Sequence, residues 1–535
     1  MSTAQARLGV DIGGTFTDVV LESPQGRVST KVLTTYAAPE DAIVEGMHRV
    51  CDKAGLRPAD IAQVIHGTTL ATNALIERRG ARTALITTEG FRDVIEMRSE
   101  SRFEQYDLNL VLPEPLLPRN RRYVLRERVE AKGRVLIPLE RAEIEALAEE
   151  LGEAGYDSIA VGLLHSYVNP AHERMIREVL AEKLPGVSVS LSSEVSPQMR
   201  EYERFNTTIA NAYIKPLMES YLRRLRERLA QEGADCPVLL MHSGGGIISL
   251  ESAAEFPVRL VESGPAGGAV FAADLAAKHG LDRVLSFDMG GTTAKICLIR
   301  NHAPKTARVF EVARSYRFKK GSGMPISIPV IDMVEIGAGG GSLAHVDVMN
   351  RIQVRPESAG SEPGPACYGR GGERPAVTDA DLVLGRLDPA RFAGGSITLH
   401  PERSEAALAA HLGDQLEMGT TEAAWGVAEV VDENMANAAR VHAVENGEDL
   451  STYTMIAFGG AAPLHAARLC EKLGIDRLLV PVGAGVGSAI GFLRAPFSFE
   501  ANRSEFMRLS DFDPVAVAAL FAEMEEEARA FVHSC

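Results

Sequence analysis

Asp11-Ile-Gly-Gly-Thr-Phe-Thr-Asp18 gathers acids, glycines and hydroxyls into one short segment flanked by apolar runs. The order reads as an aspartate closing a strand, a reversal at Gly13 and Gly14, and the hydroxyls of Thr15 and Thr17 opening the returning strand. Without Cβ atoms, the glycines let successive backbone N–H groups turn onto an anion. Such a concave array binds phosphate, and the two hydroxyls add donors. Asp11, at the strand end, would meet a phosphate-bound Mg2+ through an oxygen or a water. An ordinary Gly-Gly hairpin spells the same segment, so a single copy does not decide between them.

The phrase recurs. Val284-Leu-Ser-Phe-Asp288-Met-Gly290-Gly291-Thr292-Thr293 runs from an apolar strand through Asp-x-Gly-Gly-Thr into the apolar stretch 294–299. Two such turns, each heading its own half of the chain, point to two related domains gripping one polyphosphate across a cleft. Neither copy has the Gly-x-x-x-x-Gly-Lys-Ser/Thr spacing of a Walker loop.

These residues need elements to hold them. Helical spacing predicts a helix over 39–54 with Gly55 as its stop, and 61–65 reads as a strand. That strand delivers His66-Gly-Thr68-Thr69 into a helix start containing Asn73. Free N–H groups and the positive dipole end make such a start a place for a carboxylate, carbonyl or phosphate. Helix capping by Thr68, Thr69 and Asn73 is the alternative, and a lone His66 is more often a packed side chain than a catalyst. A strand at 84–88, a helix at 89–98, a β-rich insertion over 123–139, strands at 158–164 and 187–191 and a helix at 171–180 continue an α/β grammar of mainly parallel sheets.

A long helix begins at Glu201. Strands at 238–241 and 258–261 then run into the glycine-rich turns 242–246 and 262–268, where open α/β sheets place ligands. Residues 331–342, with Gly339 and Gly340, and 358–372 are too glycine-rich for element interiors and either wrap a ligand or form a mobile insertion. Asp379 and Asp381 offer two carboxylates, unless they merely open a helix capped by Thr378 or Asp379. A strand at 454–458 ends in Gly459-Gly460-Ala461, a turn on which adenosine rings can approach the backbone.

The bulk numbers bound the partners. At 535 residues the chain suggests about three or four domains, and 45% apolar with 24% charged residues is ordinary for globular chains. A formal charge of -16 lacks the basic footprint of nucleic-acid binding. Six scattered cysteines, Cys535 the last, without Cys-x-x-Cys, argue against a disulfide framework or structural zinc. No His-x-His cluster suggests a metal-only hydrolase. With no signal pattern and no apolar run of about 18 residues, a cytoplasmic protein without membrane contact is expected.

Taken in order, Gly9–Asp18, His66-Gly-Thr-Thr-Leu-Ala-Thr-Asn-Ala74, Ser286–Thr293, Gly337-Ala-Gly-Gly-Gly-Ser342, Gly364-Pro-Ala-Cys-Tyr-Gly369, Val377-Thr-Asp-Ala-Asp381 and Phe458-Gly-Gly-Ala461 resemble the hydantoinase A / 5-oxoprolinase family of the acetate- and sugar-kinase, Hsc70 and actin superfamily. The resemblance spans residues 7 to 500. It implies an α/β fold of two ribonuclease-H-like, actin/sugar-kinase-like domains with insertions, flanking a nucleotide cleft. The expected division is 1–200, 201–500 and, at 501–535, the start of a further C-terminal domain.

The resemblance also implies ATP and Mg2+. Asp11 and Asp288 would organise metal and water. Gly13, Gly14, Thr15, Thr17, Gly290, Gly291, Thr292 and Thr293 would hold phosphates, and Gly459, Gly460 and Ala461 the adenosine. His66 and Thr68 would be catalytic candidates on the substrate side, with Thr69, Asn73, Gly339 and Gly340 binding substrate. The implied activity is ATP-dependent opening of a cyclic amide of hydantoin, 5-oxoproline or lactam type, with a hydantoinase B-type subunit as partner. An ATP-dependent ketone carboxylase subunit is the alternative, and a nucleotide-gated scaffold without catalysis is a third reading on the same fold.

Overall fold

The computed structural model describes residues 6–35, 38–100, 102, 104–314, 321–395 and 397–534, so Cys535 lies outside the described residues. Two six-stranded sheets are built on one plan. In the first, Gly26–Leu33, Phe16–Ser23 and Ala6–Ile12 form an antiparallel meander. Ile61–Thr68 and then Val238–Met241 add in parallel beside Ala6–Ile12, and Ile247–Ser249 closes the edge. In the other, Met333–Ile336, Ala294–Arg300 and Arg283–Met289 form the meander, with Thr454–Phe458 and Arg477–Leu479 added in parallel. This repeated plan is the pair of ribonuclease-H-like halves expected from the sequence. The first sheet draws strands from both sides of residue 200. A wholly parallel four-stranded sheet, Ser188–Leu191, Ser158–Gly162, Thr83–Thr88 and Arg122–Leu125, stands beside it.

The central strands are apolar on both faces because both faces are covered. Leu8, Val10 and Ile12 enter one core, while Gly9 turns its other face toward a short helix, Gly487–Phe492. That helix and Ser263–His279 run between the two six-stranded sheets. Their core takes Val20, Ile65 and Leu239 from the first sheet, Val284, Ile456 and Phe458 from the second, and Ala266, Phe271, Ile490 and Phe492 from the helices. The two helices meet backbone to backbone: a Cβ on Gly491 would lie 1.9 Å from the Gly267 carbonyl oxygen.

Two expected elements differ. The stretch 89–98 is helical only over Val94–Met97, because Gly90 at φ +88° makes a turn first. The strand expected at 258–261 is a 3-10 turn over Pro257–Leu260. Glu262 then takes a left-handed conformation, φ 62°, so Ser263–His279 starts earlier than the apolar pattern suggests, with Pro265 tolerated in its first turn. Among the described residues, no helix is long and apolar enough to cross a membrane.

The helix crossing is a tightly compressed backbone-to-backbone contact in the layer between the two sheets. Gly491→Ala is therefore expected to destabilise the protein by about 1–3 kcal/mol or more, the overpacking range. Gly419→Ala, where a methyl meets nothing within 4 Å, should stay within about 0.5 kcal/mol. Thermal or urea unfolding of the two variants checks the contrast.

Candidate functional site

The two Asp-x-Gly-Gly-Thr segments fold as matching hairpins. Gly13 N–H donates to Phe16 O and Gly290 N–H to Thr293 O, each at 3.0 Å, closing equivalent turns. In register, Asp11 faces Asp18 and Asp288 faces Lys295. The turns meet tip to tip: a Cβ on Gly14 would lie 3.5 Å from Thr292 Oγ1, and one on Gly291 3.1 Å from Thr15 Oγ1. Both lead aspartates rest on one helix. A Cβ on Gly264 would lie 3.0 Å from Asp11 Oδ1, and one on Gly268, a turn further on, 3.2 Å from Asp288 Oδ2.

The hairpins border a cavity of about 550 Å3 whose lining includes Asp11, Gly13, Gly14, Thr15, Asp288, Gly290, Gly291, Thr292, Thr293, Thr69, Gly340, Gly459, Gly460 and Ala461. This volume suits a small-molecule ligand. The 459–461 turn is tied to the second hairpin, since Ala461 N–H donates to Met289 O at 2.9 Å. Gly459, at φ +94°, lies so near Asp288 that a Cβ there would come within 2.4 Å of Oδ1. Helix Ala462–Leu473 starts here, adding a positive dipole end.

Five expected site residues do not line this cavity. Thr17 is fully buried and shares a 3.0 Å hydrogen bond with Thr34 Oγ1, because strand alternation sends Phe16 and Asp18 to the cleft and Thr17 to the opposite face. His66 is fully buried. Its Nδ1 lies 3.2 Å from the Val10 carbonyl and its Nε2 2.8 Å from the Tyr221 hydroxyl. Burial lowers its pKa to about 4 against the weaker pull of the Val10 contact, so the ring is neutral and structural.

Thr68, also buried, clamps helix Ser263–His279: its N–H donates to Ser263 Oγ, whose hydroxyl returns a bond to Thr68 O, both at 3.1 Å. Asn73 donates to Thr69 Oγ1 at 3.4 Å instead of facing the cavity. Gly339 backs the second hairpin, where a Cβ would come within 2.7 Å of the Gly291–Thr292 backbone, while Gly340 and Gly341 N–H groups donate to Gly290 O and Gly291 O. Asp379 and Asp381 part company. Asp379 accepts from the N–H groups of Ala366, Cys367 and Ala376 and from Ser404, a structural role. Asp381 lines the cavity, pairs with Arg386 at 2.9 Å and touches the buried His465, which Asp432 also holds. Burial lowers the pKa of His465, but the two carboxylates outweigh it and raise the value to about 9.

Beyond the expected site residues the cavity has charged walls, among them Asp18, Lys31, Lys295, Arg386 and the Asp381 of the 377–381 segment. Aligning the hairpins would have found two of them, since Asp18 and Lys295 each stand seven residues after the lead aspartate. Lys31 is placed only by strand register, opposite Asp18, with Nζ 2.6 Å from its Oδ1.

Burial, then repulsion from Asp18 and Asp288, raises the pKa of Asp11 to about 7. Burial also raises Asp288 to about 6, against the opposing field of Lys295. The folded chain thus holds these protons more tightly than the unfolded one. Folding is favoured while both carboxyls are protonated, and that contribution is lost as pH climbs from the ordinary carboxylate range toward 7. Asp11→Asn should accordingly raise the melting temperature of the nucleotide-free protein at pH 7 by about 2 °C or more, with the gain vanishing near pH 4. Thermal scans at the two pH values check this.

Comparison with known proteins places this geometry in a family. The Hydantoinase/oxoprolinase model matches residues 204–501, and the Hydantoinase/oxoprolinase N-terminal region matches 7–184. The caprolactamase subunit alpha of Pseudomonas jessenii is 35% identical over 96% of this chain and 73% of its own length. The acetophenone carboxylase gamma subunit of Aromatoleum aromaticum is 33% identical, over 90% of this chain and 67% of its own. The solved structure of the ATP-dependent caprolactamase from Pseudomonas jessenii superposes with a TM-score of 0.84 at 32% identity, covering 98% of this chain and 76% of that one. With two twinned hairpins meeting over one cleft, and a family match over most of its length, the chain belongs to the hydantoinase/oxoprolinase family.

Proposed function

We propose that this chain is the ATP-cleaving subunit of an enzyme that opens a cyclic amide of hydantoin, 5-oxoproline or lactam type by phosphorylating its carbonyl oxygen. The meeting of the two hairpins over a single cavity carries the reading, and the likeness to an ATP-dependent caprolactamase supports it. An amide carbonyl is a poor electrophile. Its oxygen bonds to the terminal phosphorus as the P–O bond to ADP breaks, and the carbon becomes open to water. Water adds, the C–N bond breaks with a proton passing to nitrogen, and the resulting acyl phosphate takes a second water to release phosphate. Cyclic amide, ATP and two waters thus become the ring-opened acid, ADP and phosphate.

Little covalent chemistry falls to the protein, which positions the reactants and neutralises charge. The Gly13-Gly14 and Gly290-Gly291 turns, without side chains, let the phosphates approach the backbone, and the hydroxyls of Thr15, Thr292 and Thr293 hold them. Gly459, Gly460 and Ala461 receive the adenosine, and Thr69 stands on the substrate side. Asp11 and Asp288 suit Mg2+. Asp11 Oδ1 is buried without a partner, and the described residues hold no ready-made cluster of three or more ligating side chains. That donor set fits an ion that takes one or two carboxylates, keeps waters and binds the phosphates themselves. Bound there, Mg2+ would neutralise charge on the phosphates.

Relatives named as subunits support a partner chain, which we assign to the hydantoinase B type. The likeness to an acetophenone carboxylase subunit favours a second reading, ketone carboxylation on the same phosphate apparatus.

The assay is phosphate release from ATP with Mg2+ and the partner chain present. Stimulation by lactams or hydantoins is the expected result. Stimulation only by ketone plus bicarbonate selects the carboxylase. Asp288→Ala should lower turnover by about 100-fold or more, and undiminished turnover would instead favour a scaffold.

A further inference from the structure

The twinned sheets differ in sign at two aligned positions. Across the first sheet, strand register lines up Asp11, Asp18 and Lys31. Across the second it lines up Asp288, Lys295 and Glu335. The position after the lead aspartate is an acid in one half and a base in the other, and each third residue changes to compensate.

The two ammonium groups are not equally occupied. Lys31 sits 2.6 Å from Asp18. Lys295 is held loosely, its Nζ 3.4 Å from Glu335 Oε1 and 3.8 Å from Glu262 Oε2. Only 17% of its side chain is exposed, and it lines the cavity. The three carboxylates Glu335, Glu262 and Asp288 outweigh the effect of burial and keep the amine charged.

Its place along the cleft follows from its neighbours. The 459–461 turn touches Asp288. Lys295 comes next, opposite Asp288, and reaches Glu262 directly before the helix that carries Gly264 against Asp11. Asp11 and Asp288 both feel its field. A nucleotide with its adenosine at 459–461 would therefore extend its phosphate chain past Asp288 toward Lys295, with Asp11 beyond.

Resting on the nucleotide reading above, we propose that Lys295 is the cation that contacts the terminal phosphoryl group, and that the exchange of Asp18 for Lys295 gives the pseudo-symmetric cleft its direction. Lys295 balances charge on the phosphoryl oxygens, while Asp18 and its partner Lys31 face the acceptor side. A loosely held amine can turn its three donors to phosphate oxygens at little cost, and such charge-assisted bonds are among the stronger ones.

The test is titration calorimetry of the full chain with Mg2+, comparing a non-hydrolysable ATP analogue with ADP. Lys295→Met should weaken the analogue by about tenfold or more while ADP stays within about threefold, since only the analogue carries the terminal group. Lys295→Arg should recover much of the loss. Lys295→Met with Glu262→Gln, which leaves no unpaired buried carboxylate at 262, should reproduce the selective loss in a chain that stays folded. An unchanged ratio of the two affinities in that double variant overturns the proposal while leaving the nucleotide reading standing. A wild-type chain that binds neither nucleotide overturns that reading first.

Discussion

Everything at the cleft depends on how closely helix Ser263–His279 crosses helix Gly487–Phe492. Glycine faces glycine there, with the Gly267 carbonyl where a methyl on Gly491 would sit. The same helix presents Gly264 to Asp11 and Gly268 to Asp288, so one turn of rigid backbone, about 5.4 Å of rise, sets the spacing of two carboxylates from distant parts of the chain. A side chain at either position would push an acid out of the cleft. The apolar layer around the two helices takes residues from both sheets, which makes the crossing the joint of the molecule as well as its gauge.

The cleft collects like charge where solvent is scarce. Asp11, Asp18, Asp288 and Glu262 all have raised pKa values, with burial the leading cause in each. Burying carboxylates this way opposes folding, and such groups are retained where function needs them. Glu262 adds backbone strain, a non-glycine residue held left-handed at the mouth of a helix. Lys31 and Lys295 offset part of the repulsion, and each acts on the lead aspartates of both sheets.

Several residues that look chemical are supports. The His66-Gly-Thr68-Thr69 turn straps the first sheet to helix Ser263–His279: Thr68 and Ser263 exchange hydrogen bonds, and Glu262 N–H donates to Thr72 Oγ1. His66 fixes that strand to the Tyr221 hydroxyl deep in the core. Gly339 and Gly341 brace the second hairpin from behind. Only Thr69 and Gly340 of these two motifs reach the cavity wall.

The sequence alone settled whatever depends on neighbours along the chain. An acid followed by paired glycines between apolar runs makes a strand, a tight turn and a returning strand, and both hairpins formed at Asp11 and Asp288 as written. The Gly459-Gly460-Ala461 turn was legible for the same reason. Tertiary structure decided which side chains share a space. It buried Thr17 through strand alternation and neutralised His66 by desolvation. It turned an expected strand into the turn before Glu262, brought Lys31 to Asp18 across a register, and left Lys295 between carboxylates from two other segments. Local patterns specify turns because φ and ψ respond to adjacent residues, whereas charge, burial and reach depend on groups that meet only after the sheets close on their shared helices.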